Sequence, residues 1–238
     1  MNPHRLTLHL ISLCLVLLTI STTQAQKQKA PSGGRLAVVV DERLSALRAS
    51  PELTARLLRR IGRGRMVAIR AVKTSRDGIV FYLVNVSSRT HGWIQREALT
   101  CPSKAGEDLQ LLTLIEGSSD FDRIVRARIF LTHFPRSPLR PKVLLMLGDA
   151  AEQTSDKLSR DAARRVDDKS SAPDFSYFLN YTGLDRYNRH GVTFLFDRKS
   201  KRFHYDGAAW DEILRRFPRA PQAIEARKRS DKLATSGK

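Results

Sequence analysis

His133-Phe134-Pro135-Arg136-Ser137-Pro138 is the stretch that decides the fold, and Arg216-Phe217-Pro218-Arg219-Ala220-Pro221 nearly repeats it later in the chain. Proline disfavours the α conformation in the residue before it, so a helix should end near Phe134. Ser137 offers a side-chain oxygen as N-cap, and Pro138 fits the first helical position, where its missing N–H costs nothing. The stretch therefore predicts a helix, a two-proline turn and a second helix.

Apolar residues on both sides of each turn follow the helical spacing of i, i+3, i+4 and i+7. This pattern predicts pairs of helices whose apolar sides face each other. The last helix has the fewest large side chains to bury, which is typical of the terminal unit of a repeat array. In chain order the four apolar sets are Ile124, Ala127, Leu131 and Phe134; Val143, Leu144, Leu147, Ala150 and Ala151; Trp210, Ile213, Leu214 and Phe217; and Ala223, Ile224, Ala226 and Leu233.

Residues 1–25 have the features of a secretory signal peptide, with a basic start, an apolar run and a small-residue site at Thr23-Gln24-Ala25. An uncleaved membrane anchor is the alternative, but the run at 6–20 is short for a span of roughly 20 residues. We expect cleavage after Ala25 and an exported protein, periplasmic or extracellular, with no transmembrane span in the remainder. Residues 26–34 are polar and predict a linker.

The chain is strongly basic, with 42 Lys and Arg against 24 Asp and Glu, a formal net charge of +18. Arginines cluster at Arg59-Arg60 and at Arg63 and Arg65, among other places. Such a surface attracts polyanions, which in an exported protein would be anionic envelope polymers. The alternative is an arginine-rich genome with solvated helix faces. Nucleic acid is not an expected partner, because no nucleic-acid motif with interleaved aromatic residues is present.

Short apolar runs separated by turn signals fill the region from 35 to 101. Several short strands at this spacing predict a small barrel or sandwich. The runs lie at 36–40, 44–48, 66–69, 79–86 and 91–95.

Two motifs in this region carry a family resemblance: the basic turn Gly62-Arg63-Gly64-Arg65, and the late Gly92-Trp93-Ile94 strand that leads into Ala98-Leu99. With the strands around them, they resemble a bacterial SH3-like domain over about 36–100. The resemblance implies a small β-barrel that binds cell-wall peptide or a partner protein. Compared with that family, the segment 50–60 is a longer and more helical insert, with Leu53, Leu57 and Leu58 on one side.

Four residues of this region are candidates for ligand or partner binding: Tyr82, Trp93, Arg63 and Arg65. For Phe81 and Trp93 the first expectation is core packing, because the strands of a small barrel must fill it. Tyr82 alternates to the face opposite Phe81, and both a surface role and burial stay open for it. An exposed aromatic with an apolar body and a hydroxyl is a common recognition anchor.

The passage from 121 to 152 resembles a tetratricopeptide-type unit. Its Phe-Pro-x-Ser-Pro run followed by Leu147-Gly148-Asp149-Ala150-Ala151 is similar to periplasmic repeat proteins of the Tol–Pal system and of outer-membrane barrel assembly. Gly148 matches the small-residue position at which paired helices approach closely. The resemblance implies a scaffold for protein contact and no chemistry.

We therefore predict an α+β fold in two parts, an SH3-like β-barrel at 35–101 and tetratricopeptide-like helices after it. The first helical unit spans 108–166, with 108–116 fitting either helix or strand at its start. A loop follows at 167–175. The second helical unit spans 176–233 and contains a β-hairpin at 192–205, where strand, charged turn and strand succeed each other.

No active site is evident in the sequence. The histidines after residue 25 lack metal-binding spacing, and no nucleophile elbow, phosphate loop or dinucleotide fingerprint occurs. Cys101, the one cysteine after residue 25, is expected to be unpaired and half-buried, or else paired between chains. Asp206 and Asp211 near His204 are better explained as a helix cap and solvated charge. We expect no catalytic residue, metal or cofactor.

The sequence thus predicts an exported, non-catalytic binding or scaffold protein of the bacterial cell envelope. The SH3-like module would dock on the cell wall, through peptidoglycan peptide, or on a protein partner, and the helical repeats would mediate protein–protein contact. The alternative is an accessory subunit or a cryptic member of a cell-wall-modifying enzyme system, because cell-wall amidases often carry SH3-like domains.

Overall fold

The computed structural model describes residues 34–167 and 183–236, without the side chains of 165–167 and 236. The predicted signal peptide, the linker up to residue 33 and the loop from 168 onward lie outside the described residues. The described part is α+β, as the sequence predicts. A sheet comes first in the chain, and helices with a two-stranded hairpin follow it.

The sheet has seven antiparallel strands in the order β3-β2-β6-β5-β4-β1-β7. Strands β3 and β7 are its two ends, so the sheet is open and the prediction of a closed barrel is wrong. Closure needs a pairing between the two ends, which no local pattern encodes. The strands are β1 (Arg35–Val39), β2 (Ala46–Arg48), β3 (Leu57–Arg60), β4 (Met66–Thr74), β5 (Val80–Asn85), β6 (His91–Gln95) and β7 (Leu99–Thr100).

The segment 50–60 does not form the expected helical insert. Bends and turns lead into β3, which pairs with β2 through a register shift. Leu57 and Leu58 remain 47% and 40% exposed, and Leu53 is also exposed. Leucine and arginine favour helix intrinsically. Pairing with β2 outweighs that preference here, as tertiary context often does.

Gly92 explains why the late strand carries a Gly-Trp-Ile motif. A Cβ added at Gly92 would lie 2.8 Å from Leu47 Cγ and 2.9 Å from the Arg48 carbonyl oxygen, so only glycine lets β2 and β6 approach this closely. Two residues on, Ile94 is fully buried in the sheet core.

Strand β1 is buried on both faces. Ala37 and Val39 belong to the sheet core, whereas Val38 and the following Val40 pack into the core of the helical part. A strand buried on both sides has no polar alternation, which accounts for the continuous apolar run at 36–40. The two cores therefore meet at this strand.

The helical part contains six α-helices among the described residues and one β-hairpin. The ambiguous stretch at 108–116 is helical. The hairpin lies within the predicted range 192–205 and confirms that prediction. The elements are α1 (Glu107–Glu116), α2 (Asp120–His133), α3 (Arg140–Asp167), α4 (Leu184–Asn188), β8 (Phe194–Asp197), β9 (Arg202–Tyr205), α5 (Ala208–Arg216) and α6 (Gln222–Ser236).

The two Phe-Pro corners have nearly the same backbone conformation. Phe134 ends α2 with φ −120° and ψ 58°, and Phe217 ends α5 with φ −131° and ψ 47°. The N–H of each donates to the carbonyl four residues before it at 2.8 Å. In the first corner Ser137 Oγ accepts from the Leu139 N–H at 3.2 Å, as expected of an N-cap. The two copies of the Phe-Pro stretch therefore share one corner geometry.

Helix α3 is the scaffold of the helical part, in contact with α2, α5, α6 and the hairpin. A Cβ at Gly148 would lie 2.2 Å from Trp210 Nε1 on α5, so the predicted close approach is present. Polar residues of α3 hold the hairpin: Ser159 Oγ accepts from the Phe203 N–H at 2.8 Å, and Glu152 accepts from the Tyr205 N–H at 3.2 Å. Ile224 on α6, expected to be buried, is 66% exposed.

Two arginines join the sheet to the helices. Arg126 on α2 donates to the Val40 carbonyl at 3.2 Å and pairs with Asp41 at 2.8 Å, and it also donates to Ser118 Oγ. Arg63 reaches Asp122 on α2 at 2.7 Å. In the ranges that the structure describes, no helix is both long enough and apolar enough to cross a membrane.

Candidate functional site

A pocket of about 440 Å³ opens at the turn between β3 and β4. It contains both arginines that the sequence singles out, Arg63 and Arg65. Arg59 and Arg60 from β3 line it as well, together with Ile61, Gly62, Gly64 and Val86. We call this site the arginine pocket.

Glycines shape the turn that forms the arginine pocket. Gly64 has φ +78°, a left-handed conformation that residues with a Cβ rarely adopt. Its N–H donates to the Val39 carbonyl at 2.8 Å, and the Arg65 N–H donates to the Gly62 carbonyl at 3.3 Å. These bonds fix the turn against β1, and the side chains that flank the glycines are held around one concavity.

Arg63 is tied into the protein. Its Nη1 lies 2.7 Å from Asp122 Oδ1 and its Nε lies 3.8 Å from Glu42 Oε2, and its side chain is only 17% exposed. The guanidinium charge is therefore largely balanced by carboxylates of the protein. Arg63 sets the shape of the pocket more than it supplies free positive charge.

The other three arginines are not balanced in this way. Arg60 donates to the Arg43 carbonyl at 3.3 Å, and Arg65 donates to the Val86 carbonyl at 3.4 Å. Arg59 and Arg60 are exposed. Within residues 34–167 and 183–236, none of Arg59, Arg60 and Arg65 forms an ion pair with a carboxylate. Arginines that line one concavity without carboxylate partners favour binding of an anion.

The two aromatic candidates do not line the arginine pocket. Tyr82 is 7% exposed and packs in the sheet core with residues such as Val84 and Ile94, so the surface role considered for it is wrong. Trp93 is the cross-strand partner of Leu83, on the face opposite Ile94, and is only half-buried. The expected core role holds for Phe81, which is fully buried, but not for Trp93.

A second groove, of about 380 Å³, lies between α3 and α6 with Trp210 at its base. Acidic residues of α3 face basic residues of α6 across it, and Asp149 pairs with Arg229 at 2.5 Å. Opposite charges that pair across a groove leave little field for a ligand. The arginine pocket is therefore the stronger candidate site.

The residues around His204 act as caps. The N-cap of α5 is Gly207 and not the predicted Asp206, but Asp206 Oδ1, one residue earlier, accepts from the Ala208 N–H at 3.0 Å, and Tyr205 Oη accepts from the Ala209 N–H at 2.8 Å. Burial raises the pKa of Tyr205 far above its usual value. Both contacts satisfy the orphan amides at the start of α5.

Cys101 forms no disulfide within the described residues, and it is only 3% exposed, so it is more deeply buried than expected. Burial, followed by the nearby Glu107 carboxylate, raises the pKa of its thiol. A buried thiol that resists ionisation is a poor nucleophile. In the described part of the chain, no three His, Cys, Asp or Glu side chains converge as a metal site would need.

Two histidines make stability depend on pH. Burial lowers the pKa of His190, which packs edge-on against Phe121, and the charges of Arg63, Arg128 and Arg189 lower it further. Burial also lowers the pKa of His133. Histidine in the unfolded chain titrates near 6.5. On acidification below that value the unfolded state takes up protons first, so folded-state stability falls until the folded pKa values are reached.

We therefore expect the melting temperature to fall as the pH is lowered from 7 to 5, as measured by circular dichroism. His190→Phe keeps a ring against Phe121 and should reduce the dependence. His91→Gln, at an exposed position, should leave it unchanged. A melting temperature that is constant over this range would contradict the expectation.

No family model matches the chain, and neither the curated proteins nor the solved structures include a significantly similar one.

Proposed function

We propose that the protein is an exported, non-catalytic binding protein of the bacterial cell envelope that holds an anionic partner in the arginine pocket. The observation that carries this proposal is that four arginines line one concavity and that, in the described part of the chain, three of them have no carboxylate partner. In this proposal the sheet has the docking role that its resemblance to SH3-like domains implies, although it is open. The partner is either an anionic component of the cell wall or a protein.

The helical part has the role of a scaffold in this proposal. Its two Phe-Pro corners repeat one geometry, and the hairpin and α5 are fixed to α3 by buried hydrogen bonds and close packing. Paired helices of this kind resemble tetratricopeptide-like units, which supports a function in protein contact. The ties from Arg63 and Arg126 hold this scaffold against the sheet, so the pocket has a fixed place on it.

We expect the purified protein to sediment with peptidoglycan that carries its anionic polymers, and to do so through the arginine pocket. Replacing Arg59 and Arg65 together by glutamine should weaken binding about tenfold, or about 1.4 kcal/mol. Arg215→Gln with Arg219→Gln removes the same charge from exposed positions of the helical part and serves as the control.

A salt series distinguishes a shaped site from diffuse attraction. At about 0.3 M salt the Debye length is roughly 6 Å, so attraction over longer distances is largely screened. Binding through the pocket should persist in part under these conditions. If binding vanished there, or if both double variants weakened it equally, general charge attraction would explain it and the pocket would have no special role.

A further inference from the structure

The outer edge of β3 is free in the described structure. Among the residues that the structure describes, β3 is the last strand of the sheet on its side and pairs only with β2. The Ile61 N–H donates to the Ser45 carbonyl at 3.1 Å, toward β2. Because successive residues of a strand direct their backbone groups to opposite sides, the N–H and carbonyl of Arg60 point to the free edge.

This edge combines exposed aliphatic side chains with positive charge. Leu57 and Leu58 are 47% and 40% exposed, and the next two residues are Arg59 and Arg60. A free strand edge with exposed leucines is normally an aggregation risk. Here the chain continues directly from the edge into the arginine pocket, so edge and pocket form one surface.

The charge of the edge decides which strand can pair with it. A second copy of β3 would bring Arg59 and Arg60 close to their own counterparts, and like charges on paired strands destabilise the pairing. An acidic strand reverses the sign of each of these contacts. The arginines thus disfavour self-association and favour an acidic partner.

We infer that an extended acidic polypeptide segment pairs as an added strand with the free edge of β3 and places carboxylates in the arginine pocket. This inference rests on the proposed function and specifies its partner. Main-chain hydrogen bonds to the edge provide the affinity, and the arginines select acidic side chains. The four residues of β3 span roughly 13 Å, so about four partner residues pair with it.

The test uses a fluorescent nine-residue peptide in which glutamate alternates with valine, with both ends blocked. Its affinity for the purified protein is measured by anisotropy in about 0.1 M salt. A second peptide has the same side chains but carries N-methyl groups on alternate amides, which removes hydrogen-bond donors along one edge and leaves the charge unchanged. A third carries the N-methyl groups on the other set of amides.

We expect the unmodified peptide to bind and at least one N-methylated peptide to bind at least tenfold more weakly. Arg59→Gln with Arg60→Gln should weaken binding of the unmodified peptide about tenfold, whereas Arg215→Gln with Arg219→Gln should not. Equal binding of all three peptides would overturn strand pairing and leave anion binding in the pocket intact. Failure of the peptide to bind, with sedimentation on anionic peptidoglycan preserved, would assign the pocket to a polymer other than polypeptide. Loss of both would overturn the proposed function too.

Discussion

Gly148→Ala is expected to destabilise the protein by about 2 kcal/mol, although alanine is the better helix former. A helix interior gains roughly 1 kcal/mol when glycine becomes alanine. At Gly148 the new methyl group would lie 2.2, 2.7 and 2.8 Å from three atoms of the Trp210 indole. The indole is 2% exposed and cannot move aside cheaply, so the cost of overpacking exceeds the helical gain.

Thermal unfolding measures this effect, with an expected fall in melting temperature of roughly 4–8 °C for a chain of this size. Gly117→Ala is the matched control, because a Cβ there would meet only the Thr113 carbonyl, at 3.5 Å. Adding Trp210→Phe to Gly148→Ala should cost less than the sum of the single changes, by about 1 kcal/mol or more. If the two changes in the free energy of unfolding were additive, a steric clash between the methyl group added at Gly148 and the Trp210 indole would not be the cause of the destabilisation.

Arg126→Met is expected to cost about 3 kcal/mol. The Arg126 side chain is only 11% exposed and contacts the Val40 carbonyl, the Asp41 carboxylate and the Ser118 hydroxyl. Methionine keeps much of the volume but leaves Asp41, itself 19% exposed, without its partner. Breaking a buried ion pair from one side typically costs 3–5 kcal/mol because a charge stays uncompensated.

Urea unfolding measures this loss as a lower transition midpoint. Adding Asp41→Asn should recover part of it, since the remaining group is then neutral. Arg164→Ala, which breaks an exposed pair with Asp161 on α3, should change stability by less than about 0.5 kcal/mol. A small effect of Arg126→Met would mean that the apolar contacts of β1 suffice to hold the sheet on the helices.

The parts of the fold that short-range chemistry determines could be predicted from the sequence. Pro135 and Pro218 end their helices because a proline restricts the residue before it, wherever the chain goes next. The hairpin within 192–205 follows from its strand–turn–strand pattern in the same way. Gly148 was recognisable as a close-approach position, although its contact, Trp210, is 62 residues away in the sequence.

The parts that depend on long-range pairing could not be predicted. Alternation along β5 and β6 shows that neighbouring residues face opposite sides, but not which side is covered. Tyr82, for which a surface role and burial were both open, is buried, and Trp93, expected in the core, is only half-buried. Leu57 and Leu58 lie in a strand because β2 pairs with this segment in the folded chain. The open sheet likewise depends on which strands meet at its ends.

Buried polar residues were the other omission. Arg126 and Ser159 lie in segments whose local sequence predicts solvent-exposed helix. No local pattern indicates that Arg126 donates to the Val40 carbonyl or that Ser159 accepts from the Phe203 N–H. For the candidate site the sequence supplied Arg63 and Arg65. It did not show that Arg63 is already paired with Asp122, because the helix that carries Asp122 approaches the turn only in the folded chain.

Strand β1 supplies alternate side chains to two cores, and this bears on how the gene can be recombined. If the seven strands alone were transferred to another protein, Val38 and Val40 would be exposed apolar residues without the helices that cover them. Removing β1 together with the helices would instead take Ala37 and Val39 out of the sheet core and expose the residues that they cover. Sheet and helices therefore depend on each other for folding, and a cut between them would leave one of the two cores uncovered.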